Sequence, residues 1–309
     1  MCTTCGCSSI GGVAYTTLKP TADALAAEAG AAARADPGGA EVRYRPLGTS
    51  STVRPPRTGA GVATEARGAP LRLHSHAASE SAARDGATIV LEQEILAKNR
   101  ALAARNGQWL AERNLVALNL MSSPGAGKTS LLERTIRDLA GAATIAVIEG
   151  DQATQNDAER IARAGARVVQ VNTGTGCHLE ADMLARALDE LAPPAGAIVM
   201  IENVGNLVCP ALFELGESAR VVILSITEGE DKPLKYPHMF RTADLLLLNK
   251  MDLLPHLDFD LERCIGYALE VNPRLEVRRV SARTGEGMAA WYEWLRAHAT
   301  TVRAGAQPA

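Results

Sequence analysis

The feature that most constrains the fold is a glycine-rich turn lying between an apolar run and the start of a helical pattern. The apolar run covers residues 115–121, and the turn at 122–129 reads Ser-Ser-Pro-Gly-Ala-Gly-Lys-Thr. Glycines in such a turn let backbone N–H groups close around phosphate oxygens, and the following helix adds the positive end of its dipole. The sequence therefore predicts a strand, a phosphate-binding loop and a helix, in that order.

Each residue type in this loop has a physical role at a nucleotide phosphate. Lys128 is expected to reach the β- and γ-phosphates, and the Thr129 hydroxyl is expected to bind Mg²⁺. Ser122 stands where the common GxxxxGK(S/T) pattern has glycine, and the position between strand and helix compensates for this departure. A plain strand-to-helix turn is the alternative. The predicted phosphate-contacting residues are Gly125, Ala126, Gly127, Lys128, Thr129 and Ser130.

Short apolar runs recur along the chain, with helical stretches between several of them. Continuous apolar strands that alternate with helices indicate a parallel sheet covered on both faces. The fold class predicted is therefore α/β, a P-loop NTPase with a mostly parallel sheet flanked by helices, over about residues 88–300. The runs are 115–121, 143–148, 167–171, 197–201, 221–226, 245–248 and 275–280.

The segments outside this domain differ in composition. Residues 8–87 are rich in Ala, Gly, Pro, Ser and Arg, which predicts a flexible linker behind a Cys-rich tip at 1–7. His74 and His76 in this linker are interpreted as solvated side chains. A helix is predicted from Thr88, ended or interrupted at Asn106-Gly107, and residues 301–309 are assigned to a C-terminal tail.

Two acids follow predicted strands at the edge where ligands of parallel sheets gather. Asp151 comes after the second run, and Glu202 after the run at 197–201. Both are candidate catalytic residues with Lys128. We expect Asp151 to lie near Mg²⁺ with Thr129.

A second motif selects the base. Asn249, Lys250 and Asp252 form an NKxD pattern directly after an apolar run. The Asp252 carboxylate can accept hydrogen bonds from the guanine N1–H and amino group, which adenine lacks on that edge. Ser281 and Ala282 follow another run and resemble the loop whose backbone N–H recognises the guanine oxygen. GTP is thus the predicted nucleotide.

The cysteines are distributed unevenly, unlike a secreted disulfide framework. Three of the six, Cys2, Cys5 and Cys7, lie in one short segment that suits a soft or borderline ion such as Ni²⁺ or Zn²⁺. A redox motif or an Fe–S fragment is the alternative.

A second metal constellation is predicted inside the domain. Cys177 and His178 follow a glycine-containing turn, and Cys209 lies in the segment after Glu202. Three ligands leave a coordination position open, which a second copy of the chain can fill. Buried structural cysteines are the alternative, and Cys264, on an amphipathic helix, is assigned to packing.

Charge and hydropathy narrow the partner classes. The net charge is -3 without a basic run, which argues against nucleic acid. No stretch approaches about 18 apolar residues and the N-terminus lacks a signal-peptide pattern, so no membrane association and a cytoplasmic location are expected.

Together these motifs resemble the HypB family, the GTPases that help to deliver nickel to NiFe-hydrogenase precursors. The resemblance covers the Cys-rich tip and residues from about 88 to 300, and its carriers are segments 1–7, 122–129, 176–179, 202–210 and 249–252. It implies a nickel site at Cys2, Cys5 and Cys7 and a nickel or zinc site at Cys177, His178 and Cys209. It also implies GTP-dependent homodimers, and as partners a hydrogenase maturation protein and the large-subunit precursor.

Two other interpretations remain open. The urease accessory GTPases share the Glu-Asn-Val-Gly-Asn-Leu-Val segment at 202–208 but not the Cys-rich tip. A zinc-stabilised regulatory module that binds GTP without passing metal on is the third. Many relatives carry a long histidine-rich tract where this chain has only His74 and His76, which argues against storage of many ions.

Overall fold

The computed structural model describes residues 13–20, 77–152 and 155–306. Cys2, Cys5, Cys7, His74 and His76 lie outside these residues, so the predictions made for them stay predictions.

The described strands form one sheet of eight, in the order β1-β4-β3-β5-β2-β6-β7-β8. Strands β2 to β8 pair in parallel, and β1 runs antiparallel to β4 at one edge. All seven predicted apolar runs lie in or overlap these parallel strands, which confirms the predicted fold class. The bounds are β1 (Ala14–Leu18), β2 (Val116–Ser122), β3 (Ile145–Asp151), β4 (Arg167–Asn172), β5 (Ile198–Glu202), β6 (Ala219–Ser225), β7 (Leu245–Asn249) and β8 (Glu276–Arg279).

Helices connect the strands, and one 3-10 helix (Met251–His256) follows β7. None of the helices over the described residues has the length and hydropathy needed to cross a membrane. The bounds are α1 (Ala77–Glu112), α2 (Lys128–Asp138), α3 (Asn156–Arg163), α4 (Ala181–Leu191), α5 (Cys209–Leu212), α6 (Lys232–Lys235), α7 (Pro237–Arg241), α8 (Leu261–Val271) and α9 (Met288–Ala306).

Both faces of the sheet carry apolar cores, because successive strand residues point to opposite faces. Leu118 of β2 packs in a first core cluster with α2 and α9, whereas Ala117 packs in a second cluster with α1 and α4. A third cluster contains Cys264 of α8, which is fully buried as predicted. Burial raises the pKa of the Cys264 thiol to about 12, which fits a packing role.

The linker predicted for residues 8–87 is wrong at Ala14–Leu18, which form strand β1. Tyr15 packs against the second core cluster and Leu18 against the first, and Thr17 Oγ1 donates to Glu190 Oε1 at 2.8 Å. Tyr and Thr favour strands, and these tertiary contacts stabilise a five-residue strand that has no clear periodic pattern of apolar residues.

Helix α1 begins at Ala77 rather than at Thr88, and it continues through Asn106-Gly107, where an interruption was predicted. Asn106 Nδ2 donates to the carbonyls of Ala181 and Leu215, so its polar side chain is satisfied inside the helix. A Cβ on Gly107 would lie 3.5 Å from the Gly216 carbonyl oxygen, so this position serves close packing of a loop on the helix.

At the other end, α9 extends to Ala306, so the predicted tail 301–309 is wrong for residues 301–306.

Candidate nucleotide and metal site

The phosphate-binding loop lies between the end of β2 and the start of α2. Gly125 and Gly127 have φ angles of 76° and 97°, a region that L side chains rarely adopt. A Cβ on Gly127 would also lie 2.6 Å from Asn249 Nδ2. Both the backbone conformation and the close approach therefore require glycine at this position.

Lys128 is held at the start of α2. Its Nζ donates to Ser122 Oγ at 2.8 Å, although the side chain is buried. Burial lowers the pKa of Lys128, and the neighbouring carboxyl of Glu202 opposes this shift. The serine at the first motif position thus accepts a hydrogen bond from the lysine.

Three polar groups converge beside the lysine. Thr129 Oγ1 donates to Glu202 Oε1 at 2.8 Å, and Glu202 pairs in register with Glu149 of the next strand. Burial raises the pKa of Glu202 to about 7 and that of Glu149 to about 9. The Oε2 atoms of both acids are buried without a hydrogen-bond partner among the described residues. This cluster can accept a cation or share a proton.

Sequence analysis missed Glu149. The available signal was a carboxyl inside the otherwise apolar third strand, two residues before Asp151. Asp151 itself lies at the end of β3, where its carbonyl accepts from the Thr173 N–H at 2.9 Å. Because the acid that contacts Thr129 is Glu202, the assignment of Asp151 to Mg²⁺ stays a prediction.

The base-reading motif is connected directly to the phosphate loop. Asn249 Nδ2 donates to the Ala126 carbonyl at 2.9 Å, and Asn249 Oδ1 accepts from the Ala282 N–H at 3.1 Å. Lys250 Nζ donates to the Gly125 carbonyl at 2.7 Å. Two motifs more than a hundred residues apart in sequence are therefore joined by hydrogen bonds.

The other motif residues lie in the loops after β7 and β8 and at the start of α2. Asp252 Oδ1 accepts from Ser281 Oγ at 2.6 Å, and Arg283 Nη1 lies 3.6 Å from Asp252 Oδ2. Ser130, at the start of α2, accepts from Arg160 Nη2 at 3.3 Å. The structure thus brings the two loops of the base motif together around the Asp252 carboxylate.

Cys177, His178 and Cys209 form a compact group whose potential ligand atoms all lie within 4.8 Å of one another. The two Sγ atoms are 2.8 Å apart, and Cys177 Sγ lies 3.5 Å from His178 Nδ1. All three side chains are buried. The predicted ligands are therefore brought together by the fold, although they come from two separate segments.

The imidazole in this group is prepared for a metal ion. His178 Nε2 is buried and has no hydrogen bond to the residues that the structure describes; Glu180 Oε1 lies 3.7 Å away, and the ring lies against Phe213 at 3.9 Å between centroids. Burial lowers the pKa of His178 to about 4, which keeps the ring neutral, the form that binds metals. Two sulfurs and one imidazole suit Ni²⁺ or Zn²⁺.

Sequence analysis missed a buried side chain that links the nucleotide and metal segments. Asn203 follows Glu202 directly, and its Oδ1 accepts from the N–H groups of Leu179 at 3.1 Å and Val204 at 3.0 Å. Its Nδ2 donates to Asn119 Oδ1 at 3.2 Å. Leu179 is two residues from Cys177, so the loop after β5 holds the metal segment in place. The signal was an amide at the carboxyl end of a buried strand.

Comparison with known proteins matches this architecture. Residues 116–279 match the model of the CobW/HypB/UreG nucleotide-binding domain. The chain is 61% identical over 211 residues to the hydrogenase maturation factor HypB of Rhizobium leguminosarum bv. viciae, covering 68% of this chain and 71% of that one.

Two solved structures are also similar. HypB from Helicobacter pylori in complex with nickel superposes with a TM-score of 0.63 at 35% identity, over 68% of this chain and 98% of that one. HypB from Archaeoglobus fulgidus has a TM-score of 0.62 at 39% identity, over 66% of this chain and 99% of that one.

Proposed function

Because the chain belongs to the HypB hydrogenase maturation factors of the CobW/HypB/UreG family, we propose that it is a nickel-binding GTPase. It uses the GTP cycle to hold nickel and to assist its insertion into the large-subunit precursor of a NiFe-hydrogenase, together with a further maturation protein. The similarity to a nickel complex of a relative supports the choice of metal.

The observation that carries this proposal is the path from the phosphate loop to the metal ligands. Thr129 bonds Glu202, and the next residue, Asn203, holds the backbone of Leu179 beside Cys177. A change at the terminal phosphate that moves Glu202 therefore also changes the support of the metal segment. A ligand-delivering GTPase needs such a link, because release of its cargo has to depend on the nucleotide state.

The chemistry of each side chain indicates its role in GTP hydrolysis. Lys128 stabilises charge on the phosphate oxygens, and Asp252 selects guanine through its two acceptor oxygens. Thr129 and Asp151 would hold Mg²⁺, which would supply positive charge that neutralises the phosphate oxygens. The buried Glu202 lies close enough to Thr129 to sense that region.

For the metal, Cys2, Cys5 and Cys7 form one nickel site and Cys177, His178 and Cys209 a second site for nickel or zinc. The donor types favour neither ion at the second site. GTP-dependent homodimerisation remains part of this proposal.

The test is to purify the full chain without a tag, measure bound metal, and follow GTP turnover with and without Ni²⁺. The proposal requires GTP hydrolysis, nickel bound at the Cys-rich tip, and nickel or zinc bound at Cys177, His178 and Cys209. A chain that binds GTP and only structural zinc, with no turnover, would support the regulatory-module interpretation instead.

A further inference from the structure

The two nitrogen atoms of the His178 ring lie in different surroundings. Nδ1 lies 3.5 Å from Cys177 Sγ, so this edge of the ring faces the sulfur atoms of the metal group. Nε2 lies on the opposite edge, where Glu180 Oε1 is 3.7 Å away. Nε2 is buried and has no hydrogen bond to the described residues. A buried polar atom needs a partner, and the Glu180 carboxylate is placed to supply one.

The Glu180 side chain does not cap the helix that follows it. Glu180 occupies the N-cap position of α4, yet its side chain makes no capping hydrogen bond. Among the ion pairs of the described residues, the one that includes Glu180 is with His178. The next acid, Asp182 in the first turn of α4, instead pairs with Arg186 at 2.8 Å. Glu180 is therefore directed towards the metal group, and Asp182 along the helix.

The backbone on both sides of Glu180 is held by buried amides. The Leu179 N–H donates to Asn203 Oδ1 at 3.1 Å, and the Ala181 N–H donates to Asn99 Oδ1 at 2.9 Å. Both asparagines are buried, one in the loop after β5 and the other in α1. A supporting residue that is fixed in this way keeps its carboxylate beside the imidazole before an ion binds.

The position of this carboxylate determines which ring nitrogen carries the proton. A neutral imidazole has one N–H and one lone pair, and the neutral ring is the form that binds metals. A lone pair on Nε2 would face the negatively charged oxygen of Glu180, whereas an N–H at Nε2 is attracted to it. The proton is therefore placed on Nε2, which leaves the Nδ1 lone pair on the side of the sulfur atoms.

A small movement completes the hydrogen bond. The distance of 3.7 Å between Nε2 and Oε1 exceeds the usual upper limit for such a bond by about 0.5 Å. The Glu180 side chain is half-exposed, so it is free to rotate by this amount. The His178 ring, in contrast, is buried against Phe213.

We propose that Glu180 is a positioning residue for the metal group: its carboxylate accepts a hydrogen bond from His178 Nε2 and so presents Nδ1 to the ion. This inference rests on the proposed metal binding at Cys177, His178 and Cys209. The ion binds to Nδ1 and to the thiolates, whose protons are released to solvent, while the Nε2 proton stays on the ring. No electron is transferred. A carboxylate in this position fixes the ring orientation and raises the basicity of the ligand.

The test measures Zn²⁺ affinity by competition with a chelator, in full-length chains whose three tip cysteines are replaced by alanine. Glu180→Ala removes the hydrogen-bond acceptor, whereas Glu180→Gln keeps an amide oxygen in the same place. Asp182→Ala is the matched control. It removes one negative charge from the same end of α4, but from a carboxylate that pairs with Arg186 rather than with His178.

We expect Glu180→Ala to lower Zn²⁺ affinity by about 10- to 100-fold, the usual loss when a supporting carboxylate is removed. Glu180→Gln should lose less, because its oxygen still accepts from Nε2, and Asp182→Ala should bind Zn²⁺ as the parent does. An unchanged affinity in Glu180→Ala, or an equal loss in Asp182→Ala, would overturn the inference and leave the metal group in place. If the parent chain of this series binds no Zn²⁺, the proposed metal group itself is wrong.

A second measurement separates positioning from a general effect on the fold. In chains labelled with ¹⁵N-histidine, ¹H–¹⁵N correlations of the ring identify the protonated and the metal-bound nitrogen, and a His178→Ala variant assigns the signals. The Zn²⁺ form of the parent should show a protonated Nε2 and a metal-bound Nδ1. Zn²⁺ bound at Nε2 would overturn the inference. Urea unfolding of metal-free Glu180→Ala should match the parent, because the side chain makes no capping hydrogen bond; a large loss of stability would attribute the weaker binding to the fold and would also overturn it.

Discussion

Replacing Asn203 by alanine should uncouple metal binding from the nucleotide state. The amide oxygen of Asn203 accepts hydrogen bonds from the N–H groups of Leu179 and Val204. Asn203 and Leu179 are both buried. Alanine leaves both donors without this acceptor. The segment that carries Cys177 then loses this hydrogen bond to the loop after Glu202.

The loss of stability can be estimated from the two N–H donors that the substitution leaves without an acceptor. A buried donor left without its partner costs about 1–3 kcal/mol, so Asn203→Ala should lower the free energy of unfolding by about 2–6 kcal/mol. In the parent chain we expect nickel affinities in the GDP and GTP-analogue states to differ by roughly 5- to 150-fold. In the variant this ratio should approach one.

A matched control is available on the other side of the same segment. Asn99 Oδ1 accepts from the Ala181 N–H at 2.9 Å, Asn99 Nδ2 donates to the Glu214 carbonyl at 2.7 Å, and Asn99 is also buried. Asn99→Ala leaves one buried donor without its acceptor, so it should lower the free energy of unfolding by about 1–3 kcal/mol and keep the nucleotide dependence of nickel affinity. The assay titrates Ni²⁺ into each variant, with the tip cysteines replaced by alanine, in the presence of GDP or a non-hydrolysable GTP analogue. A full coupling ratio in Asn203→Ala would refute the reasoning.

Three further outcomes are expected. Lys128→Ala should nearly abolish GTP hydrolysis, whereas the circular dichroism spectrum and metal binding at the Cys-rich tip should stay unchanged. Steady-state GTP turnover at the parent rate would contradict the assignment of the phosphate-binding loop. Asp252→Asn should shift base preference towards xanthine nucleotides, because the amide donates where the carboxylate only accepted, and competition between XTP and GTP measures this. The pKa of Glu149 is raised to about 9 from an ordinary value of 4.5, so its contribution to stability falls as pH rises through this range. The stability of Glu149→Gln relative to the parent should therefore rise as the pH increases from about 5 to 9. Urea unfolding measures this, and a difference in unfolding free energy that does not change with pH would contradict it.

The parallel strands and both nucleotide motifs could be predicted because their signals are local. Buried parallel strands read as near-continuous apolar runs, and each motif follows such a run directly. The convergence of Cys177, His178 and Cys209 was also predictable, since both segments leave the sheet at one edge. That edge position follows from strand direction alone.

The features that could not be predicted depend on contacts between residues far apart in the sequence, which no local pattern encodes. Strand β1 is short, lies in a polar and alanine-rich region, and is stabilised by pairing with β4 and by two core clusters. Asn106 looked like a helix end because asparagine favours caps, but two distant carbonyls satisfy its amide. Asn203 could be noticed in the sequence only as an amide after a buried strand, because the backbone of Leu179 that it holds is 24 residues away.

The hydrogen bonds from Asn249 and Lys250 to the carbonyls of the phosphate loop make the separation between the base pocket and the phosphate pocket a fixed length. Because the two loops are already held at this distance, a guanine nucleotide can bind without first ordering them. The entropy cost of ordering the loops on binding is therefore smaller. The connection also means that damage at the base pocket propagates to the other end of the nucleotide. A substitution at Asn249 is therefore expected to lower the affinity for the phosphates as well as the selectivity for guanine.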